Sequence, residues 1–89
     1  MYYVYILFSL KDQKFYIGFT HDLKRRMTEH STGKVPSTKP RLPLKLIFYE
    51  AHLSKIDAQR RENYFKTEKG KSTLRQMLRS SLKDLVLVK

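Results

Sequence analysis

The sequence predicts an α/β fold of the α+β kind, in which a small three-stranded antiparallel sheet is flanked by three helices in the order β-β-α-β-α-α. Three observations support this class. Two short aromatic segments near the start are separated by a polar turn, a third apolar segment lies near mid-chain, and amphipathic stretches follow the second and third segments. With 89 residues the chain can bury one modest core, so residues 1–89 are expected to form a single domain.

The three strands are predicted at residues 2–8, 15–20 and 44–51. Residues 2–8 carry bulky side chains on both faces, which is typical of a central strand that is covered on two sides. Residues 9–14 are polar and would form the hairpin connection between the first two strands.

The first helix is expected to follow an N-terminal cap at Thr20 or Asp22. Its apolar stripe would consist of Leu23, Met27 and His30. Residues 31–43 hold one glycine, three prolines, two serines and two threonines, a composition that predicts a mobile loop.

The second helix is expected to open at Ser54, with Asp57 three residues later in the manner of a capping box. It would run to about Lys69 and stop at Gly70, after which Ser72 can cap a last helix. The apolar positions of that last helix would be Leu74, Met77, Leu78 and Leu82. Residues 85–88 are apolar and fit either a short edge strand or a docked tail.

The charge balance points to a polyanionic partner. Nineteen Lys and Arg against eight Asp and Glu give a formal net charge of +11, and such an excess on a small domain is most often a nucleic-acid footprint. The alternative is a solvated basic surface kept for solubility. The cations predicted to contact nucleic acid are Lys24, Arg25, Lys34, Lys39 and Arg41.

Composition also excludes several classes. The chain has no cysteine, so disulfides, thiolate metal sites and cysteine nucleophiles are ruled out. The apolar start lacks a basic leader and a cleavage site and is too short to span a bilayer, and no basic helix carries an aromatic lipid-facing stripe. We therefore expect a cytoplasmic protein without membrane association.

Tyrosines are placed to meet on one face of the predicted hairpin. Tyr3 and Tyr5 share a face of the first strand, and Tyr16 and Gly18 share a face of the second. If Tyr5 pairs with Tyr16 or Gly18, the phenols of Tyr5 and Tyr16 lie on the same side of the sheet, and Gly18 leaves room for a ligand or a backbone approach. The alternative is that tyrosine simply favours strands and fills cores.

Arg26 and His30 stand at i and i+4 on the first helix, so their heads are neighbours. His30 lies on the apolar stripe and should point toward the sheet. A histidine in that position is commonly a satisfied core residue, but Arg26 beside it could fork onto phosphate oxygens.

Glu62 is the most unusual acid in the chain. It lies between Ala58 and Phe65 at helical spacing, in line with an apolar stripe where acids are rare unless paired or bound to a cation. It is either half of a buried salt bridge with Arg61 or Arg26, or a ligand for a hard cation such as Mg²⁺.

These groups together predict phosphodiester cleavage. A cation and an arginine would stabilise the charge that develops on phosphorus, and a base must activate water. A phenol, with a free pKa near 10, can act as that base only if nearby positive charge lowers its pKa.

The sequence resembles the GIY-YIG nuclease superfamily, specifically its small single-domain bacterial members, over about residues 2–70. The first two motifs stand as Tyr3-Val4-Tyr5 and Tyr16-Ile17-Gly18, with ten residues between them. Tyr3 and Val4 replace the Gly and Ile of the family motif. The remaining matches are the Arg-x-x-x-His helix with Arg26 and His30, and the acid of Ala58-x-x-x-Glu62.

The resemblance implies a compact domain with endonuclease chemistry that depends on one divalent metal, Mg²⁺ or Mn²⁺. It implies that Tyr5 is the base or water activator, that Arg26 contacts the scissile phosphate, and that Glu62 holds the metal. Tyr16 and His30 would assist, while Tyr3, Val4, Ile17 and Gly18 would be structural. The larger relatives carry a separate DNA-binding domain that is absent here, which leaves room for a protein partner that supplies specificity.

Three hypotheses therefore follow. The first is an endonuclease that acts on DNA in preference to RNA, including branched, nicked or distorted structures. The second is a non-catalytic nucleic-acid-binding module with the nuclease fold, which would not need an acid such as Glu62 on its core stripe. The third is a basic RNA- or ribosome-associated protein, which explains the charge but not the convergence of polar groups.

Overall fold

The structure is a computed structural model that describes residues 1–87. Its elements are β1 (Tyr2–Ser9), β2 (Phe15–Thr20), α1 (Leu23–Ser31), a 3₁₀ turn (Lys39–Arg41), β3 (Leu44–His52), α2 (Lys55–Phe65), α3 (Glu68–Met77) and α4 (Arg79–Leu87). The α+β class and the three-stranded antiparallel sheet are confirmed. Residues 1–87 contain four α-helices where three were predicted.

The strand order β2-β1-β3 places β1 at the centre of the sheet, as its two-sided pattern predicted. The register pairs Tyr5 with Gly18 of β2 on one side and with Tyr49 of β3 on the other. Because side chains alternate along a strand, Val4 and Ile6 face one side of the sheet and Tyr5 faces the other.

The two faces of the sheet are covered by different parts of the chain. Val4 and Ile6 belong to the main core, together with Ile17, Ala58, Phe65, Leu74 and Leu78. Helices α2, α3 and α4 therefore pack on that face. The opposite face is covered by α1, which brings His30 against Tyr5.

The boundary between α2 and α3 differs from the prediction. Helix α2 ends at Phe65, and α3 begins at once behind Thr67, whose side chain accepts a hydrogen bond from the backbone N–H of Gly70. Gly70 is thus buried inside a helix and does not terminate one, and Ser72 is not a cap. A Cβ at Gly70 would lie 2.7 Å from the Cα of Phe65, so the glycine is needed for the close crossing of two helices.

The predicted mobile loop of residues 31–43 is anchored to the hairpin. Val35 and Thr38 are buried, and the Ser9 hydroxyl donates a 2.6 Å hydrogen bond to the carbonyl oxygen of Arg41. The backbone N–H of Leu10 also donates to the carbonyl oxygen of Pro43 at 2.9 Å. The loop therefore packs as part of the domain.

Residues 85–87 belong to α4, which excludes the edge-strand alternative for them, and Val88 lies outside the described residues. Among the helices of residues 1–87, none has the length and apolar character needed to cross a membrane.

Candidate active site

The phenol of Tyr5 lies at the centre of the polar cluster that the sequence predicted. The side chain is buried, and its hydroxyl lies 2.8 Å from His30 Nε2 and accepts a 3.4 Å hydrogen bond from Arg26 Nε. The room that Gly18 leaves is filled by this phenol, since a Cβ there would lie 2.7 Å from Tyr5 Cε1 and closer still to the hydroxyl. Gly18 thus allows Tyr5 to lie flat across β2.

Tyr16 completes an aromatic group around the histidine. Its ring centroid lies 6.4 Å from that of Tyr5 and 5.2 Å from that of His30, in an edge-on arrangement with the imidazole. The structure therefore brings Tyr5, Tyr16, Arg26 and His30 together on the α1 face of the sheet.

Arg26 is held in place by a neighbour that the sequence analysis did not single out. Its Nη1 donates a 3.0 Å hydrogen bond to Glu29, while its Nε is committed to Tyr5. No hydrogen bond from Nη2 is found within residues 1–87, and the side chain is 34% exposed, so one edge of the guanidinium can still meet a ligand. The i, i+3 spacing of Arg26 and Glu29 was the signal that could have revealed this pair.

His30 is also bound on its second nitrogen. Its Nδ1 lies 2.8 Å from the hydroxyl of Thr38, and both side chains are buried. Thr38 was missed because it stands in a loop without periodicity, where no spacing rule points to a histidine eight residues earlier. With Tyr5 on Nε2 and Thr38 on Nδ1, the imidazole is fixed in orientation.

Burial controls the ionisation of this pair. It lowers the pKa of His30, and the adjacent Arg26 lowers it further, so the imidazole is neutral at neutral pH. Burial also raises the pKa of Tyr5 above its usual value and outweighs the opposing hydrogen bond from Arg26. The condition that nearby positive charge lowers the pKa of this phenol is therefore not met, because burial outweighs the hydrogen bond from Arg26.

Glu62 has a different ion-pair partner from either that was predicted. Its carboxylate lies 3.0 Å from Lys66 Nζ, and the Glu62 side chain is 19% exposed. Arg61 instead pairs with Glu50 of β3 through hydrogen bonds of 2.8 and 3.0 Å. The Glu62 pair is therefore an i, i+4 contact near the surface, with Lys66 52% exposed, and not a buried bridge.

Glu62 approaches the tyrosine from the other side of the sheet. Helix α2 packs on the face opposite α1, so the five predicted site residues do not all stand on one face. The Glu62 charge nevertheless contributes to the raised pKa of Tyr5, which places the carboxylate within electrostatic range of the phenol.

The side chains near Glu62 fit a metal ion only if the protein supplies a single carboxylate ligand. No group of three or more His, Asp and Glu side chains that could hold an ion occurs within residues 1–87. One partly exposed carboxylate remains, and Mg²⁺ is commonly held by one or two carboxylates together with waters and substrate phosphate. Glu62 fits that mode, because its ion-pair partner within residues 1–87 is the exposed Lys66.

The predicted nucleic-acid contacts divide into two groups. Four of them have exposed side chains: Lys24, Arg25, Lys34 and Lys39. Arg41 is taken up by the hairpin, where its Nε lies 2.7 Å from Asp12 Oδ2 and its Nη2 donates to the carbonyl oxygens of Lys14 and Phe15 at 3.1 Å.

Comparisons with known proteins identify a family that this chain resembles in sequence and in fold. The pattern of the GIY-YIG catalytic domain matches residues 1–76. A UPF0213 protein of Streptococcus agalactiae is 42% identical over 73 residues, which cover 81% of this chain and 82% of that protein. A UPF0213 protein of Limosilactobacillus reuteri is 47% identical over 68 residues, covering 73% and 70% of the two chains.

A solved structure shows the same fold. The solution NMR structure of a UPF0213 protein from Bacillus halodurans superposes with a TM-score of 0.55 at 37% identity, over 86% of this chain and 85% of the other. The family match extends from β1 through nearly all of α3, and the resemblance predicted from the sequence is confirmed. The chain therefore belongs to the GIY-YIG family.

Proposed function

We propose that the chain is a metal-dependent endonuclease that hydrolyses phosphodiester bonds in DNA, including branched or distorted DNA. The observation that carries this proposal is the Tyr5 hydroxyl, held between His30 Nε2 at 2.8 Å and Arg26 Nε at 3.4 Å. A buried phenol in contact with a neutral imidazole and a partly exposed guanidinium can move a proton beside a bound phosphate.

Tyr5 and His30 act as the base together. The raised pKa of Tyr5 keeps the phenol protonated, so it cannot take a proton from water unless it gives up its own. The neutral His30 Nε2 is the acceptor: the phenol donates to it while the Tyr5 oxygen takes a proton from the attacking water. With Nε2 as the proton acceptor, the Nδ1–H of the imidazole donates a hydrogen bond to the Thr38 hydroxyl, which holds the ring in this orientation.

Arg26 binds the phosphate and stabilises the negative charge that grows on its oxygens. A planar guanidinium suits this role because it donates in a fixed fork. Glu29 fixes the other edge of the group, so Arg26 is already oriented before substrate binds.

Glu62 would hold the divalent metal, Mg²⁺ or Mn²⁺, which supplies Lewis-acid stabilisation of phosphate oxygens when bound. Tyr16 packs edge-on against His30 and restricts the imidazole to the orientation that meets Tyr5. The exposed cations Lys24, Arg25, Lys34 and Lys39 contact backbone phosphates. A protein partner would add any specificity that this small surface lacks.

The test is a cleavage assay on labelled flaps, forks, junctions, nicked duplexes and single strands of DNA and RNA. We expect cleavage of at least one DNA structure in Mg²⁺ or Mn²⁺ and none in EDTA. Binding of the same substrates without cleavage under any metal condition would instead support the non-catalytic binding module. Cleavage that persists in EDTA would contradict the metal-dependent chemistry.

A further inference from the structure

We propose a second phosphate-binding site, in a cleft between the β1–β2 turn and α3, that holds a nucleic-acid strand away from the Tyr5 cluster. The cleft has a volume of about 650 Å³. Its lining includes Lys14 and Phe15 from the hairpin, Lys71 and Arg75 from α3, and Leu82 from α4. The proposal rests on the proposed function for the identity of the strand.

Within residues 1–87, three cations of this cleft take part in no ion pair with an acid. No ion pair or side-chain hydrogen bond of Lys14, Lys71 or Arg75 is found within the described part of the chain. Lys71 and Arg75 stand at i and i+4 on α3, where two like charges are neighbours and repel each other. An anionic ligand between the two cations would relieve this repulsion.

The one acid in the cleft is already neutralised. Asp12 accepts hydrogen bonds from Arg41 at 2.7 and 3.4 Å, and these bonds hold the pKa of the Asp12 carboxyl below its usual value. Asp12 and Arg41 cancel in charge, which leaves the three free cations in control of the local potential. The same contacts brace the hairpin turn, so one wall of the cleft is rigid before a ligand arrives.

The position of the cleft suits a strand that also reaches the candidate active site. Phe15 is three residues from Gly18 on β2, a spacing of about 10 Å in an extended strand. A strand that follows the edge of β2 from Tyr5 can therefore place phosphates on Lys71 and Arg75.

The apolar lining favours a nucleic-acid strand over a bare anion. Phe15 and Leu82 line the same cleft as the cations. An aromatic ring beside cations offers a stacking surface for an unpaired base together with contacts for its phosphates. We therefore assign the cleft to the phosphate backbone of a strand with unpaired nucleotides.

The test compares two double variants in binding to a labelled duplex with a single-stranded arm, measured by fluorescence anisotropy in EDTA. K71Q/R75Q removes two cations from the cleft. K69Q/K83Q is the matched control, because it removes two exposed lysines of α3 and α4 that do not line the cleft. All four side chains are at least partly exposed, and thermal melts check that each variant folds.

If Lys71 and Arg75 each neutralise a phosphate of the unpaired strand, K71Q/R75Q lowers the slope of log affinity against log salt by about 1.4, at ~0.7 per contact. At 0.1 M salt this corresponds to an affinity about 25-fold below that of the parent. The control should lose less than about threefold, since neither Lys69 nor Lys83 lines the cleft and exposed charges are screened by salt. Equal losses in the two variants, or none in either, would overturn the cleft.

The outcome is separable from that of the proposed function. Binding in EDTA does not depend on cleavage, so a parent that binds and never cleaves refutes the endonuclease while the cleft is still supported by a selective loss in K71Q/R75Q. If the parent cleaves DNA and the two double variants bind equally well, the proposed phosphate site in the cleft is refuted and the endonuclease proposal is not.

Discussion

Gly18→Ala should displace the Tyr5 hydroxyl while leaving the protein folded, so its effect on cleavage can be compared with its effect on stability. A Cβ at residue 18 would lie 2.7 Å from Tyr5 Cε1, whereas ordinary contacts begin at 3.4 Å. The ring must therefore move by about 0.7 Å at this atom and by more at the hydroxyl, which lies closer still. Its 2.8 Å contact with His30 Nε2 cannot survive such a shift unchanged.

The displaced group is the far end of a side chain, so the fold can adjust. Overpacking of this kind typically costs about 1–3 kcal/mol, and a weakened buried hydrogen bond adds a cost of about the same size. Catalysis should suffer more, because a displacement of ~1 Å can lower a rate by about 100-fold. We therefore expect Gly18→Ala to be folded, moderately destabilised and about 100-fold slower in cleavage.

The assay combines urea unfolding with single-turnover cleavage, and Tyr5→Phe is the matched variant because it removes the hydroxyl without moving the ring. If Gly18→Ala acts only through that hydroxyl, adding it to Tyr5→Phe should slow cleavage little further. A Gly18→Ala protein that cleaves within about threefold of the parent would refute the role assigned to the Tyr5–His30 contact.

Three further predictions concern the groups around the phenol. Arg26→Lys should keep DNA binding but lower cleavage by on the order of 100-fold, since lysine keeps the charge and loses the planar fork; parent-like cleavage would show that Arg26 is only a surface charge. Thr38→Val should leave His30 Nδ1 without a hydrogen-bond partner, lower the free energy of unfolding by about 1–3 kcal/mol and shift the pH profile of cleavage. Thr38→Ser should keep both the stability and the pH profile of the parent, and equal behaviour of the two variants would show that Thr38 has no role in the site. Because the pKa of His30 is lowered in the folded protein, the unfolded chain binds this proton first, and the free energy of unfolding should fall as pH drops below about 6.5, by at most ~1.4 kcal/mol per pH unit. Urea titrations of the parent and His30→Gln between pH 5 and 8 test this, and identical pH slopes would contradict it.

The strands and the polar cluster on the α1 face could be predicted because local patterns determine them. Alternation along β1 fixes which residues share a face with Tyr5, and the i, i+4 spacing places Arg26 beside His30. The resemblance to a known family then joined these patterns into one site.

The parts that the sequence could not reveal depend on long-range packing. Gly70 looked like a helix terminator, but a close crossing of two helices requires it inside α3. Thr38 reaches His30 only because its loop folds back on the sheet. The position of Glu62 on the apolar stripe of α2 indicated burial. The tertiary structure alone shows which side of the sheet α2 covers, and it shows that Glu62 pairs with Lys66 and not with an arginine.

Cleavage by Glu62→Gln in Mg²⁺, measured against the parent and against Glu68→Gln, tests the proposed metal-dependent chemistry most directly. Glu68 is an exposed acid at the start of α3, so its variant loses the same charge outside the site. The Glu62–Lys66 pair is an i, i+4 contact with an exposed lysine, worth about 0.3–0.5 kcal/mol, so Glu62→Gln should melt within a few degrees of the parent. If Glu62 holds the metal, its variant loses cleavage and keeps or gains duplex affinity, while Glu68→Gln cleaves like the parent. Parent-like cleavage by a folded Glu62→Gln protein would contradict the assignment.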